Sequence, residues 1–134
     1  MIEINAIDHI VLRTANKAAM LKFYQQILGC TIERELVAEG LIQLRAGTAL
    51  IDIVTMEGEL GKAGGGAPNY LHKQVDHFCL TIKAQPMAQL LAYLQDNNVN
   101  IGEVAKRYGA KGFGISVYIQ DPELNTIELK NELS

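Results

Sequence analysis

Two stretches of the chain, "IDHIVLRT" at 7–14 and "VDHFCLTI" at 75–82, each open an apolar, β-branched run on an Asp-His pair. Only three histidines occur in the 134 residues, so two of them share one local setting. The residues beyond each stretch match as well. After the first comes "NKAAMLKFYQQILG", whose Met20, Leu21, Tyr24, Ile27 and Leu28 fall on one face of a helix. Asn16 suits its start and Gly29 its left-handed end. After the second comes "AQPMAQLLAYLQDNN", with Pro86 suited to a first turn, a stripe of Met87, Leu90, Leu91 and Leu94, and a stop at Asn97–Asn98. Each helix is succeeded by a short strand ("CTIERELV", "VNIGEV") and two longer ones ("LIQLRAG" and "TALIDIVTM"; "GISVYIQ" and "NTIELKN"). The chain is therefore an α+β protein in which a β-α-β-β-β module is written twice. The first module covers 1–56 and the second 75–134.

Residues 57–74, "EGELGKAGGGAPNYLHKQ", join the modules. Three consecutive glycines and a proline argue for a mobile connection rather than an element, and its length leaves room for a part in covering a site. His72 in this loop reads as a solvated side chain.

Alternation sorts the strand residues by face. His9, Val11 and Arg13 oppose Ile10 and Leu12; His77, Cys79 and Thr81 oppose Phe78, Leu80 and Ile82. Asp52 stands opposite Ile51 and Ile53, and Glu128 opposite Ile127 and Leu129. One imidazole and one carboxylate thus lie on the polar face of each module. Two imidazoles and two carboxylates suit one divalent ion such as Zn, Ni, Mn or Fe, with positions left for water or substrate. Asp8 and Asp76 are turn or strand-entry residues, or acids that hold a ligand's imidazole in one tautomer.

Composition removes other classes. A net charge of −3 supplies no basic stripe for nucleic acid, and no apolar run is long enough to cross a bilayer. The start carries no secretion signal, and the expectation is a cytoplasmic protein. Cys30 and Cys79 are too few for a disulfide framework and read as reduced thiols, Cys79 buried in its strand. "GGG" is not followed by the Lys of a phosphate loop, and no Gly-x-Ser-x-Gly elbow occurs.

The duplicated module, together with "DHIVL…FYQQILG", "VDHFCLTI" and "YIQDPELNTIEL", resembles the vicinal oxygen chelate superfamily. That group includes glyoxalase I, fosfomycin-resistance thiol transferases, extradiol dioxygenases and metal-free drug-binding proteins. "DPELNTIEL" is similar to the family's Asp-Pro-x-Gly-x-x-x-Glu-Leu, with Asn125 taken for the usual Gly. The resemblance implies two modules forming a cupped mixed sheet around a metal held by His9, Asp52, His77 and Glu128, in a homodimer that often exchanges modules. Asp52 is shorter than the usual Glu and reaches the ion directly or through water. The function implied is a glyoxalase-like lyase or isomerase acting on a small dicarbonyl or hydroxy-carbonyl compound or its thiol adduct. Glu128, or Asp52 if it is off the metal, is then the general base. Arg13 resembles an anion-binding residue. Lys111 in the basic loop "AKRYGAKGFG", and Ser116 and Tyr118, are the further substrate-binding candidates. The alternatives are a fosfomycin-type thiol transferase, a dioxygenase, and a metal-free drug- or ligand-binding module. Retention of both His and of Glu128 favours an enzyme.

Overall fold

The computed structural model describes residues 1–69 and 71–132, and the chain divides into two compact units, 1–68 and 69–134. In the first unit β1 (His9–Thr14) leads into α1 (Lys17–Leu21), followed by β2 (Thr31–Leu36), β3 (Leu41–Ala46) and β4 (Ala49–Thr55). The strands form one sheet in the order β1-β4-β3-β2, with β1 parallel to β4 and the other pairs antiparallel. The second unit repeats the plan with β5 (Phe78–Ile82), α2 (Met87–Asp96), β6 (Asn100–Gly109), β7 (Gly112–Gln120) and β8 (Thr126–Asn131), in the order β5-β8-β7-β6. A parallel pair cannot be closed by a tight hairpin, so in each unit the helix and two strands are the crossover that returns the chain to its first strand. The expected β-α-β-β-β module is present twice, each with its own four-stranded mixed sheet.

One face of each sheet is apolar and packs under its helix. Leu12, Ile42, Leu44, Ile51 and Ile53 are buried in the first unit with Met20, Phe23 and Tyr24. Val117, Ile119, Ile127 and Leu129 are buried in the second with Leu90 and Leu94. Asn16 caps α1 by accepting from the Ala19 amide at 3.1 Å, and Gly29 ends the helical segment at φ +76°. Between them the winding changes. Residues Lys22–Ile27 are π-helical, with Leu28 N–H donating to the Phe23 carbonyl five residues back. Phe23 and Tyr24 enter the core side by side, three and four residues after Met20, the spacing of one helix face.

Two further expectations change. The basic loop at 105–114 is a two-stranded ribbon: β6 continues through Lys106, Arg107 and Tyr108, and only Ala110–Lys111 turn the chain. Arg107 pairs with Gly114 and Gly109 with Gly112, so glycine and charge hid an extended alternation. The joining segment also carries structure, a short 3₁₀ turn at Lys62–Gly64.

The turn before β8 differs from expectation as well. The left-handed residue is Leu124, at φ +64°, not Asn125. Counted from Asp121, the fourth position of the Asp-Pro-x-Gly pattern is 124, so Leu replaces the glycine. A branched side chain in this conformation costs about 1–2 kcal/mol. Asp121 holds the chain there. It is 2% exposed, its Oδ1 accepts from the Glu123 and Asn125 amides at 2.9 and 3.0 Å, and its Oδ2 accepts from Asn125 Nδ2 at 2.8 Å. Asp121→Ala leaves these donors without their charged acceptor and is expected to lower unfolding free energy by about 3 kcal/mol, read as a fall in the urea midpoint. An unchanged midpoint would show that the turn is held by something else.

Candidate metal-binding and substrate-binding faces

The face of each sheet opposite its core carries the polar residues. In the first unit Asp52 lies across from Val11 on β1 and Gln43 on β3, which places it on the face of His9 and Arg13. His9 Nδ1 and Asp8 Oδ2 are 2.7 Å apart. That bond holds the His9 pKa above its ordinary 6.5; burial opposes it, and the charges on Asp52 and Asp8 push the same way as the bond. Asp52 is 3% exposed. Its Oδ2 accepts from Gln43 Nε2 at 3.0 Å, while its buried Oδ1 has no hydrogen-bond partner among the described residues. A buried carboxylate oxygen left bare is costly, and a cation is the simplest group to satisfy it.

The second unit repeats the arrangement. His77 Nδ1 and Asp76 Oδ2 are 2.7 Å apart, and His77 Nε2 lies 3.2 Å from Glu128 Oε1. With Nδ1–H turned to Asp76, the Nε2 lone pair would face a carboxylate lone pair. A proton or a metal cation must stand between them. Glu128 is buried and lies between Cys79 on β5 and Tyr118 on β7. The Tyr118 ring meets His77 edge-on at 5.1 Å, and the Arg107 guanidinium lies over the same ring, 4.0 Å from its centre. Ser116 is fully buried and takes a hydrogen bond on Oγ from Arg107 at 2.9 Å.

The donor set fits a divalent ion: an Nδ1-anchored imidazole and a buried carboxylate in each unit, with the bare Asp52 oxygen available. Among the described residues no three His, Cys, Asp or Glu side chains are gathered into one ligand cluster; the pairs are found unit by unit. Asp8 and Asp76 resolve toward the tautomer-holding role, since both meet their neighbour's Nδ1 at the same distance.

The other candidates are distributed unevenly. Ser116 and Tyr118 are on the Glu128 face. Lys111 is not brought there: it occupies the exposed hairpin turn, seven residues or about 23 Å along the strand from Tyr118 at ~3.3 Å per residue. Arg13 is on the His9 face, but its guanidinium donates to the carbonyls of Gly61 (3.0 Å), Gly65 (2.6 Å) and Gly66 (3.0 Å). A Cβ at Gly64 would collide with the Arg13 side chain, which accounts for a glycine there. Gln43 is an addition, and Arg107, read from the sequence only as part of the basic loop, joins the Tyr118 face. Both sit at alternating positions that share a face with a candidate, and that was the available signal. A cleft of about 320 Å³ adjoins Tyr118, lined by Asn100, Gly102, Glu103, Gln120 and Thr126 among others. Gly102, beside a break in the β6–β7 register, lets the strand pass close to Tyr118.

Cys79 is exposed rather than buried, because it lies on the polar face of the edge strand β5. Desolvation around its sulfur and then the Glu128 carboxylate push its pKa from 9.0 to about 11. At pH 8 its thiolate fraction, and hence its alkylation by iodoacetamide, should be about 100-fold below that of an ordinary thiol. Rapid alkylation would contradict this placement against Glu128.

The family model for the glyoxalase/bleomycin resistance protein/dioxygenase superfamily matches residues 6–129. Among solved structures, an integron cassette protein from V. cholerae is similar over 98% of both chains at 25% identity, with a TM-score of 0.73. A lactoylglutathione lyase from Agrobacterium tumefaciens is similar over 95% of this chain and 93% of that one, at 19% identity and a TM-score of 0.63. The second likeness speaks to fold alone. No curated protein matches the chain in sequence, and no helix among the described residues is long and apolar enough to cross a membrane.

Proposed function

Because the chain belongs to the glyoxalase/bleomycin resistance protein/dioxygenase superfamily, we propose that it is a metal-dependent lyase or isomerase of the glyoxalase kind. The substrate is a small dicarbonyl or hydroxy-carbonyl compound, free or as its thiol adduct. His9, Asp52, His77 and Glu128 are its metal ligands. The observation that carries the reading is the matched pair of Asp–His contacts at 2.7 Å, with His77 Nε2 3.2 Å from the buried Glu128 carboxylate. A bound Zn, Ni, Mn or Fe ion would supply Lewis acidity toward the oxygens of the substrate.

The chain's own residues do the rest. Asp8 and Asp76 fix the tautomer of the two ligand imidazoles. Gln43 orients Asp52 by holding Oδ2, which leaves Oδ1 directed away from that bond. Glu128 takes the carbon-bound proton next to the carbonyl, and its carboxyl, whose proton exchanges with solvent, delivers a proton to the adjacent carbon, so a hydroxy-carbonyl product forms without external oxidant. Tyr118 and Ser116 line the approach to Glu128. The superfamily's habit of small-molecule binding and dimeric assembly supports the same reading for this chain, as a cytoplasmic homodimer.

Incubation of the metal-loaded protein with methylglyoxal and a panel of cellular thiols in deuterated water tests the reading. The expected result is incorporation of solvent deuterium at the carbon beside the carbonyl, with turnover to a hydroxy-acid thioester. Tight binding of these adducts with no exchange and no turnover would replace the enzyme by a ligand-binding module.

A further inference from the structure

Residues 62–68, "KAGGGAP", are exposed throughout, so no side chain of this segment anchors it in the core. Local hydrogen bonds close its 3₁₀ turn: the Lys62 amide donates to the Gly58 carbonyl at 3.0 Å, and the Gly64 and Gly65 amides to Gly61 and Lys62 at 3.1 Å. Gly61, at the near end, is buried against the Thr55 backbone, where a Cβ would collide. Among the described residues, Arg13 is the one residue outside 58–66 that hydrogen-bonds to 61–68. Its Nε donates to the Gly61 carbonyl at 3.0 Å, and its two terminal nitrogens to Gly65 at 2.6 Å and Gly66 at 3.0 Å. Glycine loses more conformational freedom on ordering than any other residue. Three bonds from one guanidinium therefore decide whether a triple-glycine segment stays down.

The guanidinium is itself underused. No acid lies at ion-pair distance from Arg13 among the described residues, and all three of its acceptors are neutral carbonyls. A carboxylate or phosphate in their place would make bonds about twice as strong, two of them in parallel from the planar fork. Arg13 also stands on the same face of β1 as His9, with Val11, 48% exposed, between them. The chain's own carbonyls thus hold the place of an anion at the end of the candidate ligand face.

We propose that Arg13 is a latch: it holds the 61–66 strap closed, and an oxyanion on the His9 face takes the guanidinium and releases the strap. The ligand is then one that bears a carboxylate or phosphate group, and its binding is coupled to the opening of 61–66 through one side chain that cannot serve both. This inference rests on the reading of the His9 face as a ligand face. Its test needs neither metal nor turnover, so either can fail alone.

The test is amide hydrogen exchange across 58–66 in the full chain, with chelator present and at constant pH and ionic strength, with and without inorganic phosphate or acetate. Arg13→Gln is expected to speed exchange at Lys62, Gly64 and Gly65 about tenfold. Gly64→Ala should do the same with the guanidinium intact, because the added Cβ would collide with Arg13 Nε and Cζ. It carries the test if Arg13→Gln fails to fold. At least one anion should speed exchange in wild type toward the rate of the variants and leave Arg13→Gln unchanged, which also controls for catalysis of exchange by the anion itself. A larger effect of phosphate points to a phosphorylated ligand, and of acetate to a carboxylate. Unchanged exchange in the variants overturns the latch. Wild-type exchange that neither anion alters overturns the coupling and leaves Arg13 as a fixed pin.

Discussion

Glu128→Gln is expected to slow proton exchange at the substrate carbon by about 10³-fold while leaving the fold intact. The amide keeps the shape and the hydrogen-bonding size of the side chain, but it cannot take a proton from carbon. The buried position between Cys79 and Tyr118 makes this substitution a clean one, because no void opens and no new volume is forced in. The same variant carries a second readout. Without the carboxylate, only desolvation is left to raise the Cys79 thiol, so its alkylation at pH 8 should speed up relative to wild type. Faster alkylation with lost exchange places Glu128 beside both the thiol and the reacting carbon. Retained exchange would move the base elsewhere, and Asp52 would be the next residue to replace.

The two Asp–His pairs carry the second large effect. His77→Ala is expected to reduce divalent-metal affinity by more than about 10²-fold, and Asp76→Asn or Asp8→Asn by about 10–100-fold each. The asymmetry has a chemical cause: loss of the imidazole removes a direct donor atom, whereas the acid only steers the ring. Asp8→Asn should also bring the metal-free His9 titration, followed by its ring proton shifts, back down toward 6.5, because the bond to Asp8 is the leading cause of its elevation. If Asp8→Asn left both the titration and the affinity unchanged, that contact would be incidental.

How much of the fold and site was legible in the sequence depended on which physical rule governed each position. Alternation along a strand placed His9, Asp52, His77 and Glu128 on polar faces opposite Ile10, Ile51, Phe78 and Ile127, and the observed registers agree. The same rule left Asp8 and Asp76 open between strand-entry and tautomer-holding roles. Neighbours in an extended chain point to opposite sides, yet Asp8 and Asp76 both precede the strands proper, where the chain is free to fold its carboxylate back on the ring. Helical period accounts for Met20, Phe23 and Tyr24 in the core at i, i+3 and i+4, but it gave no sign that Lys22–Ile27 wind as a π-helix. Lys106 and Arg107 passed for a solvated loop because glycine and charge break the apolar alternation that marks a strand; pairing with β7 restores it. Lys130 was visible on the Glu128 face, but the glycines that make room for it are 16 to 21 residues away in sequence and meet it only through the sheet. Leu124 shows the limit of motif matching: the turn was recognisable, and the strained residue within it needed the backbone angle.

The central claim is that this chain is built around a divalent ion. It is tested most directly by the metal content of protein purified without chelator or added metal, measured for wild type beside His77→Ala. The expected result is about one Zn, Ni, Mn or Fe per wild-type chain, lost in the variant. Wild-type protein that carries no such metal and takes up none when each ion is offered would contradict it.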